Sequence, residues 1–229
     1  TAVDVGANIG LIALPCARLV GPKGKVFAFE PEPRNAAFLR ENIAANGYTN
    51  VVVVPKAVGE RNGTAELFLS EFSAGGHQIY DMKSRLAAID AAETHYAALL
   101  SDIRKHKEFE KSIKTELVSL DSYFASYRQP ISFIKIDVEG AEGGVFAGMK
   151  QLLKKNRRLS IHFEFAPALM KLFGTDPLAL LRELVVQGFT LYDLRNLRRE
   201  KEEIEEVTPE EIMRRLPRAN ATDILARRR

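Results

Sequence analysis

The chain has 229 residues, 46% of them hydrophobic and 28% charged, and 33 Lys+Arg against 30 Asp+Glu leave a formal net charge of +3. That is the composition of a folded domain, with no run of ~18 apolar residues to span a membrane. A single cysteine, Cys16, excludes an intrachain disulfide and a cysteine-rich zinc site, and it points to a reducing, cytoplasmic setting.

Short β-rich runs alternate with helical patterns, which predicts a parallel sheet covered by helices on both faces. Thr1, not Met, opens the chain directly on the apolar run Ala2–Val5, so the sequence reads as a longer protein with its N-terminal part missing. The segment after Gly10 predicts a helix up to Gly21-Pro22, kinked by Pro15. Residues 25–30 predict a strand, and Pro33 opens a helix whose Ala36, Leu39, Ile43 and Ala44 keep helical spacing until Asn46-Gly47. Residues 50–54 are β-branched and read as a strand buried on both faces. A turn at 60–63 leads into an alternating strand at 64–69.

From about 79 to 112 the chain is rich in Ala, Lys and Glu and lacks Pro and Gly. It predicts a helical insertion of one long or two shorter amphipathic helices, whose apolar stripe would cover a pocket or meet a second subunit of a homo-oligomer. Strands then follow at 116–120, 131–137, 159–165 and 189–194. Between them come a helical turn at 121–127, a helix over 141–155 ending in Lys154 and Lys155, and a helix from Asp176-Pro177 to Gln187-Gly188. The tail holds a charge-rich stretch at 195–206, a short helix after Thr208-Pro209 and a β-like run at 222–226. No repeat appears, so residues 1–229 read as one domain carrying the insertion.

The strongest local signal is Asp4-Val5-Gly6-Ala7-Asn8-Ile9-Gly10, between a strand and a helix. Glycines let the backbone turn sharply beside a ligand, and a helix start offers free N–H groups. Glu30, 20 residues beyond Gly10, ends the second strand, where a carboxylate accepts both hydroxyls of a ribose. Alone, each feature is an ordinary tight turn or a solvated acid; together they specify a nucleoside-containing ligand. The pattern G-x-N-x-G departs from the G-x-G-x-x-G of dinucleotide sites, which disfavours NAD, and no Gly-Lys-Ser/Thr follows to make a P-loop.

These residues resemble the FkbM-type S-adenosylmethionine-dependent methyltransferases. The resemblance rests on VDVGANIG (3–10), FAFEPEPRNAAFLRENIAANG (27–47), AVG (57–59), VSLDSY (118–123), IKIDVEGAE (134–142) and the strand ending at Glu164. It implies an α/β, Rossmann-like methyltransferase fold: a seven-stranded, mostly parallel sheet with its last strand, 222–226, antiparallel. It implies that Gly6, Asn8 and Gly10 line the methionine side of S-adenosylmethionine, that Glu30 holds the ribose and that the backbone around Ala57 meets the adenine, with Asp4 and Pro31 also among the cofactor-binding residues. It also implies helices ahead of the first strand that close over the cofactor. Those helices are not in this sequence, so the acceptor site reads as incomplete.

Acceptor chemistry belongs at the carboxyl ends of the strands. Asp137 ends the central strand, Glu139 and Glu142 follow it, and His162 and Glu164 share one strand face. A hydroxyl needs a base, and Asp137 or Glu164 is preferred, with His162 and Glu139 as further candidates; Asp137 reads equally as a cofactor contact and His162 as a core histidine. The same acids with His162 also suit a divalent metal, an alternative not favoured here. Basic clusters near the C-terminus are interleaved with acids, so a solvated surface is preferred to a nucleic-acid site. The strand ending IDVEG lacks the Asn/Asp-Pro-Pro-aromatic turn of resembling amino-methyltransferases, which favours oxygen as the acceptor atom. The reading is thus an O-methyltransferase acting on a small molecule or glycan. A non-catalytic binding domain of the same fold and, third, an NAD-dependent oxidoreductase are the alternatives.

Overall fold

The computed structural model describes residues 1–69, 111–194, 204–216 and 221–228. In chain order the described elements are β1 (Ala2–Val5), α1 (Ala13–Val20), β2 (Val26–Phe29), α2 (Pro33–Ala45), β3 (Val51–Val54), β4 (Ala57–Val58), β5 (Gly63–Leu69) and β6 (Lys111–Val118). They continue with α3 (Leu120–Tyr123), β7 (Phe133–Ile136), α4 (Glu142–Ala147), α5 (Lys150–Lys155), β8 (Leu159–Phe165) and α6 (Pro167–Leu172). The last are α7 (Pro177–Val186), β9 (Thr190–Asp193), α8 (Pro209–Arg215) and β10 (Thr222–Arg228).

Seven strands form one sheet in the order β3-β2-β1-β7-β8-β10-β9, and β10 alone runs antiparallel to its neighbours. This is the seven-stranded, mostly parallel Rossmann-like methyltransferase sheet expected above, with 222–226 in its antiparallel strand. After β1 the chain builds outward through β2 and β3, then returns to place β7 on the other side of β1. That reversal opens a crevice at the carboxyl ends of β1 and β7, where open α/β sheets bind ligands. A smaller sheet, β4-β6-β5, stands beside it.

Period-two alternation assigns the two faces. Val3, Val5, Phe27, Phe29, Ile134, Ile136, Ile161, Phe163, Phe165 and Ile224 pack with apolar residues of α3 to α8, while Ala2, Val26 and Ala28 pack against Ala13, Ala17, Leu39 and Ile43 of α1 and α2. Phe29 meets Tyr123 edge-on with ring centroids 4.9 Å apart. No helix among the described residues is long and apolar enough to cross a membrane.

Several boundaries differ from the sequence expectations for identifiable reasons. Pro15 sits in the first turn of α1, where an N–H has no intrahelical partner, so the helix runs through it. β3 is an edge strand of its sheet, with only Val54 fully buried and Val52 39% exposed, rather than a strand covered on both faces. The helix over 141–155 is two helices. They part at Gly148, where an added Cβ would lie 2.1 Å from the Gly59 carbonyl oxygen, and Asp121 caps the second through Gln151 N (2.9 Å) and Leu152 N (2.7 Å). The strand expected at 116–120 starts at Lys111, inside the expected insertion, and yields Leu120 to α3. Residues 79–110 of that insertion and 195–203 of the charged stretch lie outside the described residues. α6, opened by Pro167, was not foreseen.

Candidate active site

The Gly6 turn is fixed from three sides. Its backbone takes φ 78°, and a Cβ there would lie 1.9 Å from the Asp137 carbonyl oxygen, so glycine alone lets β1 leave past the end of β7. The amides of Gly6 and Ala7 both donate to Phe29 O, at 3.1 and 2.9 Å. Asn8, in the left-handed region at φ 48°, donates its amide to Glu30 Oε2 at 2.7 Å.

Glu30 is nearly fully buried, and its other oxygen accepts from Glu32 N at 2.9 Å. Burial raises its pKa, opposed by these two amides and by a hydrogen bond from the Asn35 side chain. With three donors on its roughly four lone-pair sites, the carboxylate keeps capacity for a ligand hydroxyl.

A cleft of about 330 Å³ opens over these residues. Gly6, Asn8, Glu30, Pro31 and Ala57 line it, together with Asp137, Glu139 and His162; apolar walls come from Leu11, Ile12, Val58 and Leu67. Three sequence candidates are not among its lining residues. Asp4 is buried beneath the turn, Gly10 packs where a Cβ would meet Leu39 at 2.8 Å, and Glu164 lies beyond His162 on β8.

Sequence reasoning missed Lys135. It is 7% exposed at the middle of β7, donates to Gly6 O at 3.0 Å, and pairs with Asp137 Oδ2 at 3.2 Å and Asp4 Oδ1 at 3.7 Å. The available signal was a charged side chain between Ile134 and Ile136 of a core strand, where an unpaired amine is costly. Lys135 partly offsets the effect of burial on Asp4, which is still pushed up to about 6.

The remaining acids stand close together at the end of β7. Glu139, at a left-handed φ of 55°, is raised to about 7 by burial and then by Asp137 and Glu142. Glu142 accepts from Val138 N (3.0 Å) and Gly140 N (3.3 Å) and is likewise raised to about 7, chiefly by burial. Glu164 reaches about 8 through burial and the charges of Glu139 and Asp137. Within the described chain only Asn8 and Glu139 are non-glycine residues at positive φ, and both line the cleft; strained backbone concentrates at functional sites. His162 Nε2 lies 3.0 Å from Asp223 Oδ1. Among the described residues no group of three or more His, Cys, Asp or Glu is arranged to hold a metal ion.

The family model for the methyltransferase FkbM domain matches residues 4–191, most of the chain. The chain belongs to the FkbM methyltransferase family. A curated relative, the 2-O-methyltransferase NoeI of Sinorhizobium fredii, is 32% identical over 156 residues, which is 68% of this FkbM-family chain and 59% of NoeI. Methyltransferase 1 of Beauveria bassiana is 23% identical over 151 residues, 64% of this chain and 57% of the relative. The chain thus spans under two thirds of the length of these relatives. The crystal structure of methyltransferase FkbM from Methylobacillus flagellatus covers 99% of this chain and 43% of that one at 15% identity, with a TM-score of 0.53, which shows a shared fold. Membership of a methyltransferase family gives no support to the oxidoreductase alternative.

Proposed function

We propose that the chain binds S-adenosylmethionine and transfers its methyl group to a hydroxyl oxygen of a small molecule or glycan. The observation that carries this reading is the meeting, in one cleft at the β1/β7 switch, of the Gly6–Asn8 turn, the Glu30 carboxylate and the acids that follow β7. The donor set suits the cofactor. Glu30 offers lone pairs to ribose hydroxyls, the apolar walls at Ala57, Val58 and Leu67 suit an adenine, and Asp137 and Glu139 suit the cationic end. When bound, S-adenosylmethionine supplies an electrophilic methyl on a sulfonium.

The protein's own work is to bring the acceptor oxygen to about 3–3.5 Å in line with that methyl and to remove the hydroxyl proton. Asp137 is committed to its ion pair with Lys135, which makes it a brace for the turn and the cofactor end rather than the first choice of base. Oxygen as the acceptor atom draws support from the name of the 32% identical relative, a 2-O-methyltransferase.

The test is transfer of a tritium-labelled methyl group from S-adenosylmethionine to a panel of methyl glycosides and catechol, with and without EDTA. Label recovered as a methyl ether supports the reading. A chain that binds S-adenosylhomocysteine but labels no acceptor is a binding domain instead, and turnover abolished by EDTA brings back the metal alternative. A cofactor analogue lacking both ribose hydroxyls should bind at least tenfold more weakly, since hydrogen bonds to a charged group contribute about 1.5–3 kcal/mol each; equal affinity removes Glu30 from the ribose. Changing the ligand is preferable to Glu30→Ala, which would also free the Asn8 and Glu32 amides.

A further inference from the structure

We propose that His162 and Asp223 form the proton-accepting pair of this cleft, His162 as the catalytic residue and Asp223 as the residue that positions it. The proposal rests on the O-methylation reading and names its base.

Strand register brings the two together. In the antiparallel β8/β10 pair, Glu164 faces Asp223 and His162 faces Leu225, so Asp223 stands one diagonal step from His162 on the same face. Ile161, Phe163 and Phe165 of β8 and Ile224 and Ala226 of β10 fill the opposite, buried face. On the other side of β8, His162 is the register partner of Lys135, the residue that braces the Gly6 turn. The imidazole therefore joins the cofactor end of the cleft to a carboxylate supplied by the antiparallel strand.

The proposed pair assigns the roles of the ring nitrogens. Asp223 Oδ1 lies 3.0 Å from Nε2, and an ionised carboxylate only accepts, so Nε2 carries the hydrogen and the neutral ring keeps its lone pair on Nδ1. Nδ1 makes no hydrogen bond among the described residues, and the side chain, 26% exposed, lines the cleft. This is the arrangement in which a carboxylate fixes the tautomer of an imidazole base and stabilises the imidazolium it becomes. Asp223 is itself 58% exposed, so its effect is mainly orientation, with the charge screened by solvent.

The rival groups are otherwise engaged or displaced. Asp137 is paired with Lys135, and Glu164 is not among the cleft's lining residues. Glu139 does line the cleft and is the direct competitor. In the proposed step the acceptor oxygen gains the methyl as the carbon–sulfur bond breaks, its electron pair stays on sulfur, and the hydroxyl proton ends on Nδ1 of His162.

The experiment compares wild type with His162→Gln, Asp223→Ala and Glu139→Gln, using the acceptor that the glycoside and catechol panel selects. The expected losses in kcat are ~10²–10⁴-fold for His162→Gln, the usual worth of a general base, and on the order of tenfold for Asp223→Ala. Acceptor KM and S-adenosylhomocysteine affinity stay within about twofold for both. A two-bond proton–nitrogen spectrum of the imidazoles, assigned by loss of the signal in His162→Gln, should show Nε2–H in the apo chain. An Nδ1–H tautomer overturns the pair, as does His162→Gln retaining half its kcat while Glu139→Gln loses activity. If His162→Gln does not fold, His162→Asn serves for the assignment, and the tautomer and the Asp223→Ala kcat decide. A wild type that binds the homocysteine product but methylates no panel member overturns the O-methylation reading and this inference with it, whereas turnover without His162 dependence overturns only the latter.

Discussion

A methyl group at position 6 has nowhere to go. Its Cβ would stand 1.9 Å from the Asp137 carbonyl oxygen on backbone already at φ 78°. Gly6→Ala is therefore expected to destabilise the chain by about 1–3 kcal/mol and to abolish the thermal response to S-adenosylhomocysteine; an unchanged urea midpoint would contradict this. Glu142 makes a different prediction. Its folded pKa, about 7, lies above the ordinary 4.5, so between these values the native state holds a proton that the unfolded chain has lost. Stability from this group is fully present below pH 4.5 and falls as pH rises through about 7. Glu142→Gln, whose amide oxygen still accepts from Val138 and Gly140, should flatten the decline in melting temperature between pH 5 and 8, and an unchanged slope would assign the decline elsewhere. Gly6, Asn8 and Glu30 were legible because a contiguous turn and one strand end spell them out. Lys135 was not, because its partners Asp4 and Gly6 come from another strand and a lysine read along its own strand looks like a solvated charge. Asp223 was hidden for the same reason, its meaning depending on a register 61 residues away.

At the scale of elements, sequence reading succeeded where local chemistry decides. Pro33 at the start of α2, Asp176 capping α7 through Leu178 N and Ala179 N, and Thr208 capping α8 through Glu211 N are signals within one turn. It failed where tertiary contacts decide. Gly148 splits a continuous helical pattern because the Gly59 carbonyl crowds it, and β3 looks like a core strand although it forms a sheet edge. The start of α5 rests on Asp121, which caps it from α3. Asp121→Ala is expected to cost about 1 kcal/mol, seen as a lower urea midpoint, while S-adenosylhomocysteine affinity stays unchanged; a matching loss of affinity would mean that α5 is coupled to the cleft.

For the molecule as a whole, the order β3-β2-β1-β7-β8-β10-β9 explains why one cleft collects residues so far apart in sequence. The switch beside β1 brings the Gly6 turn to Asp137 and Glu139, β2 adds Glu30, and the β7/β8 pairing adds His162. The charge of the cleft follows from the same order. One buried lysine stands among Asp4, Asp137 and Glu139, an excess of acid suited to a cation at the methionine end and unsuited to a pyrophosphate. Thermal unfolding with S-adenosylhomocysteine and with NAD tests this most directly. A ligand at ~100 times its dissociation constant adds ~2.7 kcal/mol, which for a chain of this size raises the melting temperature by roughly 5–10 °C. The account predicts that rise with S-adenosylhomocysteine and none with NAD; a rise with NAD alone would contradict it.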